Sequence, residues 1–362
     1  MLPALRSDRP SLADVLASCL AALRSEANPL GLAPVDTAIV LLVDGLGHEA
    51  MMARSGHART LVAASKAIQS GFPTTTASAL ATLTTGTLAG QHGLVGYAVR
   101  NPATGQLFNQ LSGWQGIDPA AWQPQPTLFE QAAASGITAT VIAPERYRDS
   151  PYSRAVLRGA RFVAAASITE RLDAAAAASG LVYVYVPELD KAGHAYGAAS
   201  PQWTHALEAV DSAVASLRLS PSAGMLVTAD HGVIDVGPHN HILFDSEPEF
   251  MGGVAFVGGE PRCLQLYLEP GAEADAVAAA WRDSESVRSW VATRTEAIAA
   301  GWFGEVRPEV ADRIGDVIVA ARKGVAYYST TASERSRAMV GQHGSWSGAE
   351  LTVPLARFGA FA

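Results

Sequence analysis

Three apolar runs of this chain end in an aspartate, and two of the three bring a histidine with them. TAIVLLVDGLG (37–47) carries Asp44, LVYVYVPELDKAGHAYG (181–197) carries Asp190 and His194 four residues apart, read as lying across a glycine turn, and GMLVTADHG (224–232) carries Asp230 beside His231. A further histidine, His343, sits between glycines in GQHGSW. A lone acid after a strand is ordinarily a helix cap or turn residue, and a lone histidine ordinarily packs like any half-polar side chain. Three carboxylates and three imidazoles at strand ends make a two-metal ligand set. Hard oxygen and borderline nitrogen donors suit zinc, manganese or iron better than calcium.

A second kind of chemistry lies in GFPTTTASALATLTTG (71–86), which is rich in threonine and has no charged residue. Thr76 falls where the coil GFPTT gives way to a helical pattern. A helix start offers free N–H groups and a partial positive charge, both of which favour phosphate. A threonine hydroxyl is a poor nucleophile at neutral pH. A bound divalent ion makes its alkoxide accessible, as it lowers the pKa of bound water from about 16 to about 7. On local sequence alone an N-cap is the commoner role for Thr76, and local chemistry does not rank Thr74, Thr75 and Thr76.

These residues need a frame. The runs at 37–47, 137–144, 181–190 and 224–232 read as short buried strands, with helical stretches at 127–136, 168–180 and 204–217 between them. Strands alternating with helices predict an α/β fold with a doubly wound, mostly parallel sheet, whose sites form beyond the carboxyl ends of the strands. Residues 95–111 read as a hairpin around NPATG. From 245 to 310 the pattern changes. Strands GVAFVGG and CLQLYL precede stretches read as helices, ADAVAAAW and SVRSWVATRTEAIAAG. This segment is expected to be a smaller α+β lobe inserted into a core of 1–244 and 311–362, with DVIVAARKGVAYYS (316–329) returning to the main sheet.

The bulk properties bound the partners. At 362 residues the chain is long for one simple core, so a large domain with an insertion, or two domains, is expected. A net charge of −8 argues against binding a DNA or RNA duplex, since no excess of Lys and Arg exists to neutralise phosphates. The two cysteines, Cys19 and Cys263, form no CxxC, which fits a reducing, cytoplasmic setting. Leu16-Ala17-Ser18-Cys19 looks like a lipoprotein cleavage box, but the residues before it contain Asp8 and Asp14 and no apolar h-region. An amphipathic helix over about 11–25 is expected there instead. No apolar run is long enough to span a membrane.

Taken in order, LLVDGLG, FPTTTASALATLTTG with the following QHGLVGY, ELDKAGHAYG, TADHG and GQHG resemble the type I phosphodiesterase/nucleotide pyrophosphatase family of the alkaline phosphatase superfamily. The resemblance implies an alkaline-phosphatase-like fold and two divalent ions per chain, zinc foremost, with manganese or iron as alternatives. It implies one ion held by Asp190, His194 and His343. It implies a second held by Asp44, Asp230, His231 and the oxygen of Thr76, which becomes the nucleophile and passes through a phospho-threonine. The implied substrate is a small phosphoester, a nucleotide diester or anhydride. Some similar bacterial members act on cyclic dinucleotides, notably cyclic di-AMP. A phosphonate hydrolase of the phosphonoacetate hydrolase kind, or a phosphomonoesterase, is the alternative on the same residues.

One departure stands out. Nucleotide pyrophosphatases usually carry an Asn three residues after the nucleophile, and here that position is Ala79. The Ala77 N–H, Arg100, Asn109 and Lys191 are the candidates to contact a phosphate oxygen in its place. Tyr97, Phe108, Trp114 and Trp122 are candidates to stack on a base, and His239 and His241 to line the pocket. No CxPxR or SxPxR sulfatase motif occurs, a Thr stands where the independent phosphoglycerate mutases use Ser, and no P-loop, GxGxxG after a strand, or GxSxG elbow is present.

Overall fold

The computed structural model describes all 362 residues. Seven strands form the main sheet, in the order Ser65–Gln69, Thr352–Gly359, Ala223–Thr228, Thr37–Val43, Gly180–Val186, Ala139–Ala143 and Arg161–Ala164. Thr352–Gly359 runs against both its neighbours, and the other pairings are parallel. All seven residues of Thr37–Val43 are buried. Side chains alternate between the faces of a strand, so both faces of the sheet are covered there, which is why the run is apolar without alternation.

The helices begin where their caps are. Thr127 with Glu130 and Ser167 with Glu170 form capping boxes that start Leu128–Ala134 and Ile168–Ala176. The N-terminal stretch is the expected helix, Leu12–Leu23. It buries Leu12, Val15, Leu16, Cys19 and Leu20 along one stripe and packs on the helix Thr76–Thr85. No helix is long and apolar enough to cross a membrane.

A second sheet of six strands stands beside the first, in the order Ser289–Thr293, Val317–Ala321, Cys263–Leu268, Val254–Glu260, Ala98–Arg100 and Leu107–Asn109, every pairing antiparallel. Two sequence readings are corrected here, and one strand without a sequence reading is added. Val317–Ala321 belongs to this sheet and not to the main one; its five residues are all buried, and a buried apolar run carries no mark of which sheet it joins. Ser289–Thr293 is a strand, and the helix begins only at Arg294, where Thr293 and Glu296 form a capping box. The strand that returns to the main sheet is Thr352–Gly359, whose central Pro354 disguises it. The second sheet thus takes strands from both sides of the 245–310 segment, the 95–111 hairpin among them.

Two contacts hold the loops beyond the first sheet, one to Arg262 in the turn of the second sheet and one to Trp302, past the helix Arg294–Ala299. Arg262 and Glu350, both fully buried, form an ion pair with Nε–Oε1 at 2.7 Å and Nη2–Oε2 at 2.7 Å. Glu350 also accepts from the Ser345 N–H, and its carbonyl accepts from the Gly232 N–H at 2.9 Å. Phe72 stacks on Trp346 at 4.7 Å and meets Trp302 edge-on at 4.9 Å. Removing one partner of a buried pair strands the other charge, at a cost of about 3–5 kcal/mol. Arg262→Met should therefore lower the free energy of urea unfolding by about that amount; a loss below about 1 kcal/mol would show the pair to be incidental.

Candidate active site

The register of the three central strands sets the site. Val43 lies opposite Val186, and Leu42 opposite Thr228. Asp44 follows directly on its strand, and Asp230, two residues past Thr228, comes to the same level. The Gly45 and His231 N–H groups donate to Asp230 Oδ1 at 3.1 and 3.0 Å, and the Tyr185 hydroxyl donates to Asp44 Oδ2. Gly45 has φ +75°, and a Cβ there would lie 2.9 Å from the Asp190 Cα, so glycine alone lets the two strand ends close up.

Asp190 and His194 lie within one helix, Glu188–Tyr196, and not across a glycine turn. Their spacing of four puts them on the same face, with Nε2 3.4 Å from Oδ2. Gly193 is helical; the side it presents packs against Trp203 and Val233.

Each histidine is fixed through Nδ1. His343 Nδ1 lies 2.9 Å from the Thr74 carbonyl, His194 Nδ1 2.7 Å from the Gly341 carbonyl, and His231 Nδ1 3.2 Å from the Gly232 carbonyl. A carbonyl can only accept, so Nδ1 carries the hydrogen, and in the neutral ring Nε2 is the nitrogen left with a lone pair for the site. The His231 and His343 rings stack at 3.7 Å, and His194 and His343 are 5.2 Å apart.

The threonines are now ranked by position. Thr74 Oγ1 is committed, donating to the Ser345 carbonyl at 2.7 Å and accepting from the Gly344 N–H. Thr75, not Thr76, takes the N-cap position. Thr76 opens the helix with its Oγ1 3.2 Å from His231 Nε2.

Oxygen and nitrogen donors of Asp44, Asp230 and His231 lie within 4.8 Å of one another, as do those of Asp190, His231 and His343. His194 joins the second group through Asp190. All seven residues singled out in the sequence therefore face one volume. Asp44 Oδ1, Asp190 Oδ1 and Asp230 Oδ2 are buried without a hydrogen-bond partner, and no Lys or Arg pairs with any of the three. Burial first, then repulsion from Asp230, holds the Asp44 carboxyl well above the usual range. Burial raises Asp230 as well, and burial followed by the Asp44 charge pushes Asp190 up to about 7. Burial brings His231 down to about 4; burial, then the neighbouring His231 and His194, brings His343 well below its ordinary value. Neutral imidazoles and buried carboxyl oxygens with nothing to bond make a donor set that fits divalent cations.

A cavity of about 580 Å³ opens over this group, and Thr76, Asp44, Asp190, His194 and His343 line it. Of the other sequence candidates, Tyr97 and Lys191 line it too. Asn109 does not; its side chain accepts from the Leu111 and Ser112 N–H groups. Arg100 is not in the lining either. Trp114 and Trp122 each pack edge-on against Phe108, and His241 packs on Tyr328. Neither His239 nor the buried Ala79 reaches the cavity. Sequence reasoning missed Tyr147, Tyr152, Tyr183, Tyr185, Arg146 and Glu260, all in the lining. Tyr183 and Tyr185, two apart in a strand that leads to Asp190, were the readable signal.

A mostly parallel sheet with acids and histidines gathered past its central strand ends, next to a threonine at a helix start, defines an enzyme frame built for phosphoryl groups. Residues 38–346 match the type I phosphodiesterase / nucleotide pyrophosphatase family, and the chain belongs to it. It is a hydrolytic enzyme of that kind. Murine ectonucleotide pyrophosphatase/phosphodiesterase 5 has a similar structure, with TM-score 0.69 and 18% identity over 88% of this chain and 87% of that one. An inactive threonine-to-alanine variant of the murine protein in complex with AMP matches with TM-score 0.68 and 16% identity, over 89% and 87%. Phosphonoacetate hydrolase from Sinorhizobium meliloti, in complex with phosphonoacetate, matches with TM-score 0.69 and 19% identity, over 90% of each chain. A search of curated protein sequences finds no match.

The raised carboxyls have a consequence for stability. A group whose pKa is higher folded than unfolded favours folding at low pH and loses that contribution as pH rises through the folded value. The depressed histidines act oppositely, but only up to their unfolded value of 6.5. From about pH 6.5 to 8 the carboxyls alone act, and the metal-free protein should lose thermal stability as pH rises. Thermal melts in chelator across that window test this, with zinc or manganese expected to remove the slope. A melting temperature that climbs with pH in chelator would contradict it.

Proposed function

We propose that this enzyme cleaves phosphodiester or phosphoanhydride bonds of nucleotides in two displacements through a phospho-threonine on Thr76. The observation that carries the reading is the 3.2 Å approach of Thr76 Oγ1 to His231 Nε2, at the edge of the Asp44, Asp230 and His231 donor group. In this reading Asp190, His194 and His343 hold one divalent ion, and Asp44, Asp230, His231 and Thr76 Oγ1 hold the other. Zinc is favoured; manganese or iron suits the same donors. Such a pair of ions, when bound, lowers the pKa of coordinated oxygens and clamps an in-line displacement.

The chain's own residues do the rest. Thr76 stands at the first turn of its helix, where the positive end of the dipole meets a phosphoryl group. The Ser78 and Ala79 N–H groups both donate to the Thr75 carbonyl, while the Ala77 N–H finds no backbone acceptor. That amide supplies a donor to a non-bridging oxygen where the family Asn is replaced by Ala79. The Nδ1 anchors hold three imidazoles in one orientation, so the site needs little rearrangement before reaction. The murine variant, inactive without its threonine and bound to AMP, supports both the nucleophile and a nucleotide substrate. Cyclic di-AMP is a candidate substrate on the family resemblance. The buried, unpaired Cys19 and Cys263 accord with a cytoplasmic setting.

The equally similar phosphonoacetate hydrolase keeps phosphonate cleavage on the same residues as the second reading, with phosphomonoester cleavage beside it. Turnover of bis(p-nitrophenyl) phosphate, cyclic di-AMP, p-nitrophenyl phosphate and phosphonoacetate, each with zinc or manganese, separates them. A diester is expected to be cleaved fastest, and turnover of phosphonoacetate alone would favour the second reading. Thr76→Ala should lower kcat by about 1,000-fold or more even with zinc in saturating supply, and Thr76→Ser should retain part of the rate. An Ala variant with more than a tenth of the wild-type rate would remove Thr76 as the nucleophile.

A further inference from the structure

Two cations line the cavity that holds Thr76, and neither is neutralised. Arg146 lies in the short 3-10 turn Glu145–Tyr147 after the strand Ala139–Ala143, and Lys191 follows Asp190 on the helix Glu188–Tyr196. Both are exposed, and neither forms an ion pair. Asp190, just before Lys191, is turned toward His194, and the next acids along the chain, Glu145 and Glu188, are engaged by other arginines. Glu145 takes both forks of Arg148, at 2.7 and 2.8 Å, and Glu188 is held by the buried Arg171. Arg146 is nevertheless oriented. Its guanidinium lies over the Tyr147 ring at 4.6 Å and donates to the Tyr147 hydroxyl at 3.1 Å, and Tyr147 in turn meets Tyr185 edge-on.

An acidic chain that keeps an arginine and a lysine unpaired in the wall of its reaction cavity is set up to receive an anion. The scissile phosphoryl group is met at Thr76, so these side chains are left for a different group of the same molecule. We propose that Arg146 and Lys191 form a second anion subsite, so that preferred substrates carry a phosphate or carboxylate in addition to the phosphoryl group under attack. The planar fork of Arg146 suits two-point contact with either anion, and Lys191 adds a mobile point charge. The cavity volume, about 580 Å³, accommodates a ligand larger than a simple ester. This inference rests on the hydrolase reading at Thr76 and deepens it.

The test compares substrates with one and two anionic groups. Bis(p-nitrophenyl) phosphate carries one; cyclic di-AMP adds a second phosphate, and phosphonoacetate adds a carboxylate. In Arg146→Ala and Lys191→Ala, kcat/KM should fall at least tenfold further on whichever two-anion substrate is used than on bis(p-nitrophenyl) phosphate, mostly through KM. The difference should shrink as salt rises. Equal losses on both kinds of substrate, or none, would overturn the subsite. If the wild-type enzyme cleaved none of these compounds, the hydrolase reading would fail separately. The subsite would then be judged by calorimetric binding of cyclic di-AMP to zinc-loaded Thr76→Ala protein. A tenfold weaker Kd on adding either cation variant supports it, and an unchanged Kd overturns it.

Discussion

Three carboxylates gathered in a buried space, with no cation of the chain's own to balance them, are the constraint on which this structure turns. Asp44, Asp190 and Asp230 each keep an oxygen without a hydrogen-bond partner. Burying even one uncompensated charge is expensive, and bringing three together adds mutual repulsion. Folding alone does not relieve that cost; the site instead holds it in place. Strand register sets two of the acids level, Gly45 permits the close approach to the third, and the Tyr185 hydroxyl takes one oxygen of Asp44. Burial disfavours the charged form of the His231 and His343 imidazoles beside them, and all three rings are anchored through Nδ1 with Nε2 turned inward. An arrangement so strained in charge and so fixed in geometry is made for external cations, and it fits the chemistry proposed at Thr76.

What holds the arrangement lies one layer out. The residues that meet in the site are far apart in the chain, and the loops bearing them have few regular contacts of their own. Glu350 ties three of these pieces together: Arg262 of the second sheet, Ser345 of the His343 loop and Gly232 beside His231. Thr74 joins the Thr76 loop to the His343 loop through backbone and hydroxyl. Phe72 and Trp346 stack between the same two loops. The second sheet is therefore part of the site's support, although of its strands only Val254–Glu260 sends a side chain, Glu260, into the cavity lining.

Legibility in the sequence followed burial. Asp44 and Asp230 could be found because each closes a fully buried apolar strand at the same relative place, a recurrence that single caps or turns do not produce. Asp190 and His194 were found by spacing, but Gly193 made a helix look like a turn, since its small size serves packing on Trp203 and not chain reversal. His343 has no periodic element to mark it; its place between glycines made it a candidate, and the family resemblance assigned it to the ion with Asp190 and His194. Local chemistry could not tell Thr76 from Thr74 and Thr75; the family resemblance singled it out, and its neighbours distant in sequence rank it by position. Val317–Ala321 and Thr352–Gly359 were misassigned or missed because sheet membership is a property of pairing partners, and Pro354 hid the second. Arg146 and Glu260 were invisible for the same reason: a charged residue in a turn or at a strand end acquires a role only when a cavity forms around it.

The central claim is that two cations complete this site. Anomalous diffraction from crystals of the zinc- or manganese-loaded enzyme tests it most directly. The account predicts two peaks, one among Asp44, Asp230, His231 and Thr76 and the other among Asp190, His194 and His343. A single peak, or peaks bound elsewhere with these side chains left empty, would contradict it.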